Sequence, residues 1–198
     1  VRSRGLGDVY KRQVNGKVIH RDWDYLQYFI SEARRLGLKV TVSTAMFPSG
    51  HPATREGLVY DEPRWDGKTC LEYTPGGKML DIREDKKKVG AFLNPVRKDV
   101  RKFALSIVRE IVKNYDVDAY ALDYCRYPGD GSDFSIDSQK AFERYLGKKI
   151  QNFPDDIFTW NTDGTKKPGI YYKEWWAFRA NVITSFVKEV RKEIHSIN

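Results

Sequence analysis

The sequence predicts an α/β fold in which helices alternate with parallel strands, and two segments carry the prediction. Residues 94–128 indicate one helix followed by one strand, because apolar residues recur every three or four positions and then alternate in steps of two. Residues 22–47 repeat this order, again with a short turn between helix and strand. Helices joined to strands by short turns are typical of a parallel sheet.

The first helix is expected to begin near Asp22, whose side chain can cap the first turn, and to end at Gly37. Its apolar stripe consists of Trp23, Leu26, Phe29, Ile30, Ala33 and Leu36. A strand is predicted over residues 39–47, and from Val40 onward neither of its faces carries a charge. Strands that are covered on both sides have this composition.

The second helix is expected over residues 95–114. Asn94 can cap it through the side-chain oxygen, and Pro95 then occupies the first helical position, where its missing N–H has no consequence. The apolar stripe of this helix consists of Val100, Phe103, Ala104, Ile107, Val108, Ile111, Val112 and Tyr115. Such a stripe predicts a helix that lies on a core.

The strand that follows, residues 117–124, ends in a carboxylate on an unusual face. Asp123 shares its face with small residues such as Ala119 and Ala121. In a (β/α)8 barrel, the last inward residue at the carboxyl end of a strand faces the active-site cup. We therefore expect a fragment of a (β/α)8 TIM barrel with long βα loops and with Asp123 in the cup. Two structural alternatives remain open: Asp123 caps the following loop, or it pairs with Arg126.

Two long connections are predicted after the strands. About 45 residues rich in Gly, Pro and aromatic side chains separate the first strand from Asn94, which exceeds the usual connection length. The aromatic and imidazole side chains of this loop are candidate binding residues, although a loop that packs on itself is the alternative. The connection after Pro128 contains a short helix near residues 137–146. It leads to a last helix with Trp175 and Phe178 on its apolar stripe.

The first 13 residues are interpreted as foreign to the fold. Residues 8–13, DVYKRQ, translate GAT GTG TAT AAG AGA CAG, a transposon end that is used to fragment DNA for sequencing. We therefore expect a sequencing-adapter artefact over residues 1–13 and a partial barrel domain over residues 14–198, within a metagenomic fragment. A natural basic tail is the alternative.

Charge and composition disfavour several classes of protein. The formal charge of +8 falls to +5 without residues 1–13, which carry four basic side chains and one acidic one. The other basic residues are interleaved with acidic ones, as in VKEVRKE, which is typical of solvated helix faces and not of nucleic-acid binding. No apolar run is long enough for a membrane helix. Cys70 and Cys125 have no metal-ligand spacing, and we expect neither a metal nor a cofactor.

Several motifs together resemble one known family. The stretch DVDAYALDYCRYP, preceded by FLNP, is similar to the glycosyl-hydrolase-like 10 family, whose barrels are distantly related to the α-amylase superfamily. WDYLQYFISEARRLGLKVTVSTAMF, GLVYD and YYKEWWAFRANVITSFVKEVRKEI also resemble that family, so that the resemblance spans nearly all of residues 14–198. Ala119 stands where the family usually has Gly. Ala121 stands where α-amylase relatives have Arg, which argues against a strict α-amylase mechanism.

The resemblance implies a glycoside hydrolase that acts on a polysaccharide or an oligosaccharide. The usual route of glycosidic cleavage requires two carboxyl groups, about 5 to 10 Å apart. Asp123 is the predicted catalytic carboxylate. Its acid partner is expected on later strands outside this sequence, and Glu62, Asp130 and Asp133 are weaker candidates for that role.

The predicted substrate-binding residues are Tyr124, Arg126, His51, Tyr60 and Trp65. Tyr124 and Arg126 are expected to orient the carboxylate or to bind a sugar hydroxyl. A non-catalytic carbohydrate-binding relative with the same barrel is the second interpretation. A nucleic-acid-binding protein, the third, rests on positive charge alone. The resemblance further implies a bacterial protein that is secreted, periplasmic or a surface lipoprotein.

Overall fold

A computed structural model describes residues 24–197. In this part of the chain the helices are α1 (Tyr25–Arg35), α2 (Leu58–Asp61), α3 (Lys98–Asn114), α4 (Ile136–Leu146) and α5 (Tyr172–His195). The strands are β1 (Thr41–Ala45), β2 (Leu71–Thr74), β3 (Lys78–Asp81), β4 (Ala119–Asp123), β5 (Phe158–Trp160) and β6 (Lys166–Pro168). The predicted mixed α/β class is confirmed. No helix within residues 24–197 combines the length and the apolar content that crossing a bilayer requires.

The parallel pair of β1 and β4 is the centre of the fold. Thr41 lies opposite Ala119 at one end and Ala45 lies opposite Asp123 at the other. Hydrogen bonding continues for one step, since the Met46 amide donates to the Asp123 carbonyl over 2.9 Å. Both strands were predicted in place and parallel. Each is shorter than the sequence indicated, because alternation continues into residues that no longer form the ladder.

Two helix starts differ from the sequence prediction. Helix α1 begins after Asp24, whose carboxylate accepts the Gln27 amide over 3.0 Å; Asp22 lies outside the described residues. Helix α3 begins at Lys98, and the cap position before it, Arg97, makes no side-chain capping bond. Asn94 is therefore not its cap. A buried contact with a later loop holds the Asn94 amide, and its oxygen instead accepts the Val96 amide over 3.0 Å.

The described residues form two large apolar clusters, and α5 contributes to both. The first packs one face of the β1–β4 pair against α3 and α5 and includes Phe47, Phe92, Val108 and Phe186. The second is mainly aromatic and joins α4 to the first half of α5; its buried members include Phe134, Phe142, Phe158, Trp175 and Phe178. This division confirms the amphipathic last helix that the sequence predicted.

The two faces of the β1–β4 pair have different surroundings. On one face, Tyr120 and Leu122 are half-buried against the first cluster. On the other face, Thr41, Ser43, Ala45, Ala119 and Asp123 are exposed. Within the described part of the chain, the face of small side chains is thus open to solvent. It carries Asp123 at the carboxyl end of the strands.

The connection between β1 and α3 is not an unstructured loop. It contains α2, two short 3-10 turns (Pro63–Trp65 and Ile82–Glu84), and the antiparallel hairpin of β2 and β3. The β2–β3 hairpin is joined to the loop after β4 by the bridge between Glu72 and Ser132. The connections after β1 and β4 therefore pack on each other at the same end of the parallel pair.

Candidate active site

Asp123 is the last residue of β4, and its side chain is exposed. One carboxylate oxygen, Oδ1, accepts the amide of Tyr124 over 2.9 Å. The other has no hydrogen-bond partner among residues 24–197, and no cation in that range forms an ion pair with this carboxylate. The pairing with Arg126 that the sequence left open is therefore absent. The carboxylate caps the turn after β4 with one oxygen and leaves the other open to solvent.

The residue after Asp123, Tyr124, belongs to a cluster of two aromatic rings and one guanidinium. Tyr124 turns the chain away from the strand with a φ of 46°, in the left-handed region that non-glycine residues rarely adopt. Its ring contacts Phe92 edge-on, with 6.0 Å between the ring centroids. The Arg126 guanidinium lies 5.0 Å from the Tyr124 ring centroid and 5.6 Å from that of Phe92. Arg126 is therefore engaged by π faces.

Phe92 was not among the residues that the sequence singled out. It is 1% exposed, and its edge partner Tyr124 follows Asp123 directly. The available signal was its position two residues before Asn94 in the FLNP motif, which the resemblance had already marked. Its contact with Tyr124 could not be read from periodicity, because the two residues lie in different connections.

The loop of residues 48–61 extends from the same end of β1. It is tied to the Phe92 segment, because the Ala91 amide donates to the Gly50 carbonyl over 2.7 Å and Pro48 bridges Phe92. Gly50 is required for this close packing, since a Cβ added there would lie 2.7 Å from a Val59 methyl carbon. These contacts hold the loop against the segment that contains Phe92.

His51 and Tyr60 both belong to this loop but differ in availability. His51 is exposed, and its ring nitrogen Nδ1 lies 3.5 Å from the Thr54 hydroxyl. Tyr60 is half-buried, and its hydroxyl donates to the Arg83 carbonyl over 2.9 Å. Burial raises the pKa of Tyr60. His51 is open to a ligand, whereas Tyr60 could offer only the exposed part of its ring.

Trp65 does not fit the predicted role in substrate binding. Its side chain is 3% exposed and packs on the Phe103 ring of α3 at a centroid distance of 4.9 Å. The Arg64 guanidinium lies 4.8 Å from the Trp65 ring. Trp65 is therefore a core residue that anchors the connection to α3, and the prediction for it is corrected. The similar loop residue Tyr73 is also buried, and its hydroxyl donates to Asp155.

The three weaker candidates for a second carboxyl group are all engaged elsewhere. Glu62 pairs with Arg64 at 2.6 Å, and Asp130 pairs with Lys166 at 3.3 Å. Asp133 is completely buried and accepts four hydrogen bonds from the protein. Burial raises the pKa of Asp133, while hydrogen bonds from two serine hydroxyls oppose that rise. Asp133 is a structural carboxylate that sugars cannot reach.

Within the described residues, no group of three or more His, Cys, Asp or Glu side chains is arranged to hold a metal ion. The buried thiol of Cys70 has a raised pKa because burial disfavours the thiolate. The region thus offers an open carboxylate at the end of β4, and the next residue along the chain, Tyr124, packs with Arg126 and Phe92.

Comparison with known proteins identifies the family. The model of the Glycosyl hydrolase-like 10 family matches residues 10–198. The chain belongs to this family. The resemblance recognised in the strand-end motif and in the tryptophan-rich last helix is therefore confirmed, and it extends over nearly the whole sequence.

One relative and one solved structure are similar to the chain over most of its length. An S-layer-related protein of Niallia circulans is 38% identical over 175 residues, which cover 86% of this chain and 11% of that protein. Among solved structures, alpha-L-fucosidase isoenzyme 2 from Paenibacillus thiaminolyticus matches with a TM-score of 0.58 and 17% identity. That match covers 92% of this chain and 22% of the fucosidase chain, and at this identity it shows the fold alone. The chain thus spans about a tenth of the first relative and about a fifth of the second.

Proposed function

We propose that this chain is part of a glycoside hydrolase domain that acts on a polysaccharide or an oligosaccharide, with Asp123 as a catalytic carboxylate. The observation that carries the proposal is the exposed Asp123 side chain at the carboxyl end of a parallel strand. Its Oδ1 is held by one backbone amide and Oδ2 is open. A carboxylate fixed in this way can attack or stabilise an oxocarbenium-like centre.

The proposed domain is a (β/α)8 barrel, of which the β1–β4 pair forms two neighbouring strands. The exposed small residues Thr41, Ser43, Ala45 and Ala119 support this proposal, because inward positions of such a barrel are packed by the other strands. The lengths of the relatives leave ample room for further strands. The name of the S-layer-related relative supports a location at the bacterial cell surface.

Binding of the sugar is assigned to Tyr124 and Arg126, which follow Asp123 in the sequence, and to the loop after β1. Tyr124 and Arg126 would contact the sugar next to the scissile bond, with Phe92 as the support beneath them. His51 would contribute at the rim as an exposed hydrogen-bonding group, and Tyr60 through its ring. The second carboxyl group that cleavage requires would come from strands outside this sequence, since Glu62, Asp130 and Asp133 are engaged elsewhere.

A non-catalytic carbohydrate-binding domain is the second candidate. It starts from the same three carboxylates, which have other partners: a barrel whose further strands supplied no acid partner for Asp123 would bind sugars and not cleave them. The two functions make different demands on Asp123. An enzyme needs its negative charge, whereas a binding module needs only its shape and hydrogen bonds.

The substitution Asp123→Asn tests the proposal in a chain that carries the complete domain. We expect hydrolysis to fall at least about a thousandfold, equivalent to about 4 kcal/mol of transition-state stabilisation, while sugar affinity changes only a few-fold. Asp163→Asn is the matched control, because that exposed carboxylate also caps a turn through a backbone amide, that of Thr165 at 2.9 Å. The control should hydrolyse normally.

Reducing-sugar release from bacterial cell-wall polysaccharides and titration with the same oligosaccharides would be measured on both variants. Turnover of Asp123→Asn close to that of the unaltered protein would remove Asp123 from the mechanism. Sugar binding without any turnover in the unaltered protein would favour the binding module.

A further inference from the structure

Arg179 is a buried cation without a carboxylate partner. It lies on α5 with 6% of its surface exposed, and its Nη2 donates to the Gly129 carbonyl over 2.6 Å. Its Nε and Nη1 have no hydrogen-bond partner among the described residues, and no acid in that range forms an ion pair with it. Burial lowers the pKa of Arg179. A charge that is buried in this way destabilises a fold unless another interaction offsets the cost of removing it from water.

The interaction is the contact of the guanidinium with two aromatic rings. The Arg179 guanidinium carbon lies 4.5 Å from the ring centroid of Tyr127 and 4.4 Å from that of Trp176. Lys166 also approaches the Trp176 ring, at 5.8 Å, and pairs with Asp130. Cations and rings thus alternate from the loop after β4 to the β5–β6 hairpin. A planar guanidinium can contact a ring on each side, whereas an ammonium cannot stack.

The segment that this arrangement holds is the direct continuation of the candidate active site. Three consecutive carbonyls accept hydrogen bonds from arginines: Tyr127 at 3.0 Å and Pro128 at 3.4 Å from Arg126, and Gly129 at 2.6 Å from Arg179. Arg126 is therefore held by a segment that Arg179 holds in turn. Only Tyr127 and Pro128 separate Arg126 from Gly129, so a displacement of Gly129 would be passed on to Arg126.

We propose that Arg179 is a positioning residue that fixes residues 127–129 and, through them, sets the orientation of Arg126, three residues after Asp123 in the sequence. This inference rests on the proposed function only for its catalytic consequence. Arg179 itself is buried. Its effect passes through the Gly129 carbonyl and the Tyr127 ring, and it requires the planar stacked group and not only a positive charge.

The positioning role can be measured in the 198-residue chain by amide hydrogen exchange. The reporter amides are Tyr73, which donates to the Gly131 carbonyl at 2.8 Å, and Ser132, which donates to that of Gly129 at 3.4 Å. In Arg179→Met we expect exchange of these amides to accelerate at least about tenfold, because local opening requires less free energy once the segment is released. Amides in the middle of α3 should keep their rates.

Three comparisons sharpen the test. Arg179→Lys keeps the charge but not the planar group, and should resemble Arg179→Met at the reporter amides. Arg191→Met, an exposed arginine of the same helix, is the control and should change nothing. The melting temperature of Arg179→Met should stay within about 3 °C of the unaltered chain, because the loss of contacts is offset by removal of a buried charge.

In a hydrolytically active chain, Arg179→Met should lower kcat at least about tenfold with KM changed less than about threefold, since Arg126 keeps its charge next to the sugar and loses only its fixed orientation. Uniform acceleration of exchange across α3 and the reporters would overturn the proposal, because Arg179 would then only stabilise the fold. Full retention of the reporter rates in Arg179→Lys would also overturn it. Faster exchange at the reporter amides alone, in a protein that hydrolyses no glycoside, would support the contact between Arg179 and residues 127–129. The same result would refute the proposed hydrolase function.

Discussion

The buried carboxylate of Asp133 provides the sharpest test of how the connections around the site are held together. Its Oδ1 accepts the backbone amide of Leu71 at 2.5 Å. Its Oδ2 accepts the side-chain amide of Asn94 at 2.5 Å and the hydroxyls of Ser135 at 2.5 Å and Ser138 at 2.6 Å. One side chain thus ties the β2–β3 hairpin, the segment before α3 and the start of α4 to the loop after β4.

The substitution Asp133→Asn replaces one acceptor oxygen with a donor in this buried network. If the new amide occupies the Oδ2 position, it faces the Nδ2 group of Asn94, which also donates. Asn94 cannot simply rotate its amide, because its oxygen accepts the Val96 amide at 3.0 Å. Removing one partner from a buried charged network destabilises a protein by about 3 to 5 kcal/mol. We expect about 3 kcal/mol, or a fall in melting temperature of about 6 to 12 °C for a chain of this size.

A reciprocal exchange gives the matched test. Asn94→Asp alone would bring two buried carboxylates together and should also be strongly destabilising. In the double variant with Asp133→Asn, the donor and the acceptor are exchanged between the two positions, while the residue at 94 can still accept the Val96 amide. We expect the double variant to be more stable than the sum of the two single changes predicts, by at least about 1 kcal/mol.

Urea unfolding of the four proteins measures this coupling directly. A destabilisation below about 1 kcal/mol in Asp133→Asn, the size of an ordinary substitution, would refute the structural role assigned to the carboxylate. Additive effects in the double variant would show that Asn94 and Asp133 do not act through their mutual hydrogen bond. Either result would weaken the assignment of Asp133 as a structural carboxylate that takes no part in catalysis.

Three further predictions concern other parts of the chain. Partial burial raises the pKa of Asp99, but hydrogen bonds from Lys68 and Arg97 outweigh it and lower the pKa from 3.8 to about 2. The stability that the ionised Asp99 contributes is therefore present above about pH 4 and lost as the pH falls towards 2. Asp99→Asn should abolish that component of acid unfolding, which is at most about 1 kcal/mol because the side chain is 43% exposed. Trp65→Ala should destabilise the chain by about 3 to 5 kcal/mol in urea unfolding, and Trp65→Phe by far less, because its indole nitrogen already lacks a hydrogen-bond partner among the described residues; equal effects would contradict the core assignment. Deletion of residues 1–13 should change the free energy of unfolding by less than about 1 kcal/mol, and a larger loss would show that this segment is native.

Periodicity in the sequence predicted the features that local geometry controls. The steps of three and four residues before Tyr115 predicted α3, and the alternation that follows predicted β4 with Asp123 at its end; both are confirmed. The last helix was predicted in the same way. These predictions succeed because the positions of apolar residues along one element decide which side of that element can be buried.

The sequence predictions were less accurate where a residue from a distant part of the chain binds or buries the side chain in question. Asn94 has the right side chain for a helix cap, but its amide is bound by Asp133, 39 positions further along the chain. Trp65 is an aromatic residue in a loop, as expected of a residue that stacks on a sugar, but it packs on the Phe103 ring of α3. No local pattern contains either partner, so a reading of the sequence alone assigned both residues to the wrong role.

The sequence by itself thus determined the order of the two parallel strands and the four longer helices, and the position of one carboxylate at a strand end. Only the tertiary structure decided what surrounds that carboxylate. The cluster of Tyr124, Arg126 and Phe92 joins two separate connections, and the stacking of Arg179 on Tyr127 joins a helix to a loop. Such contacts form where the packed helices bring distant segments of the chain together. The positions of those segments are set by burial of the whole core and not by the few residues that make each contact.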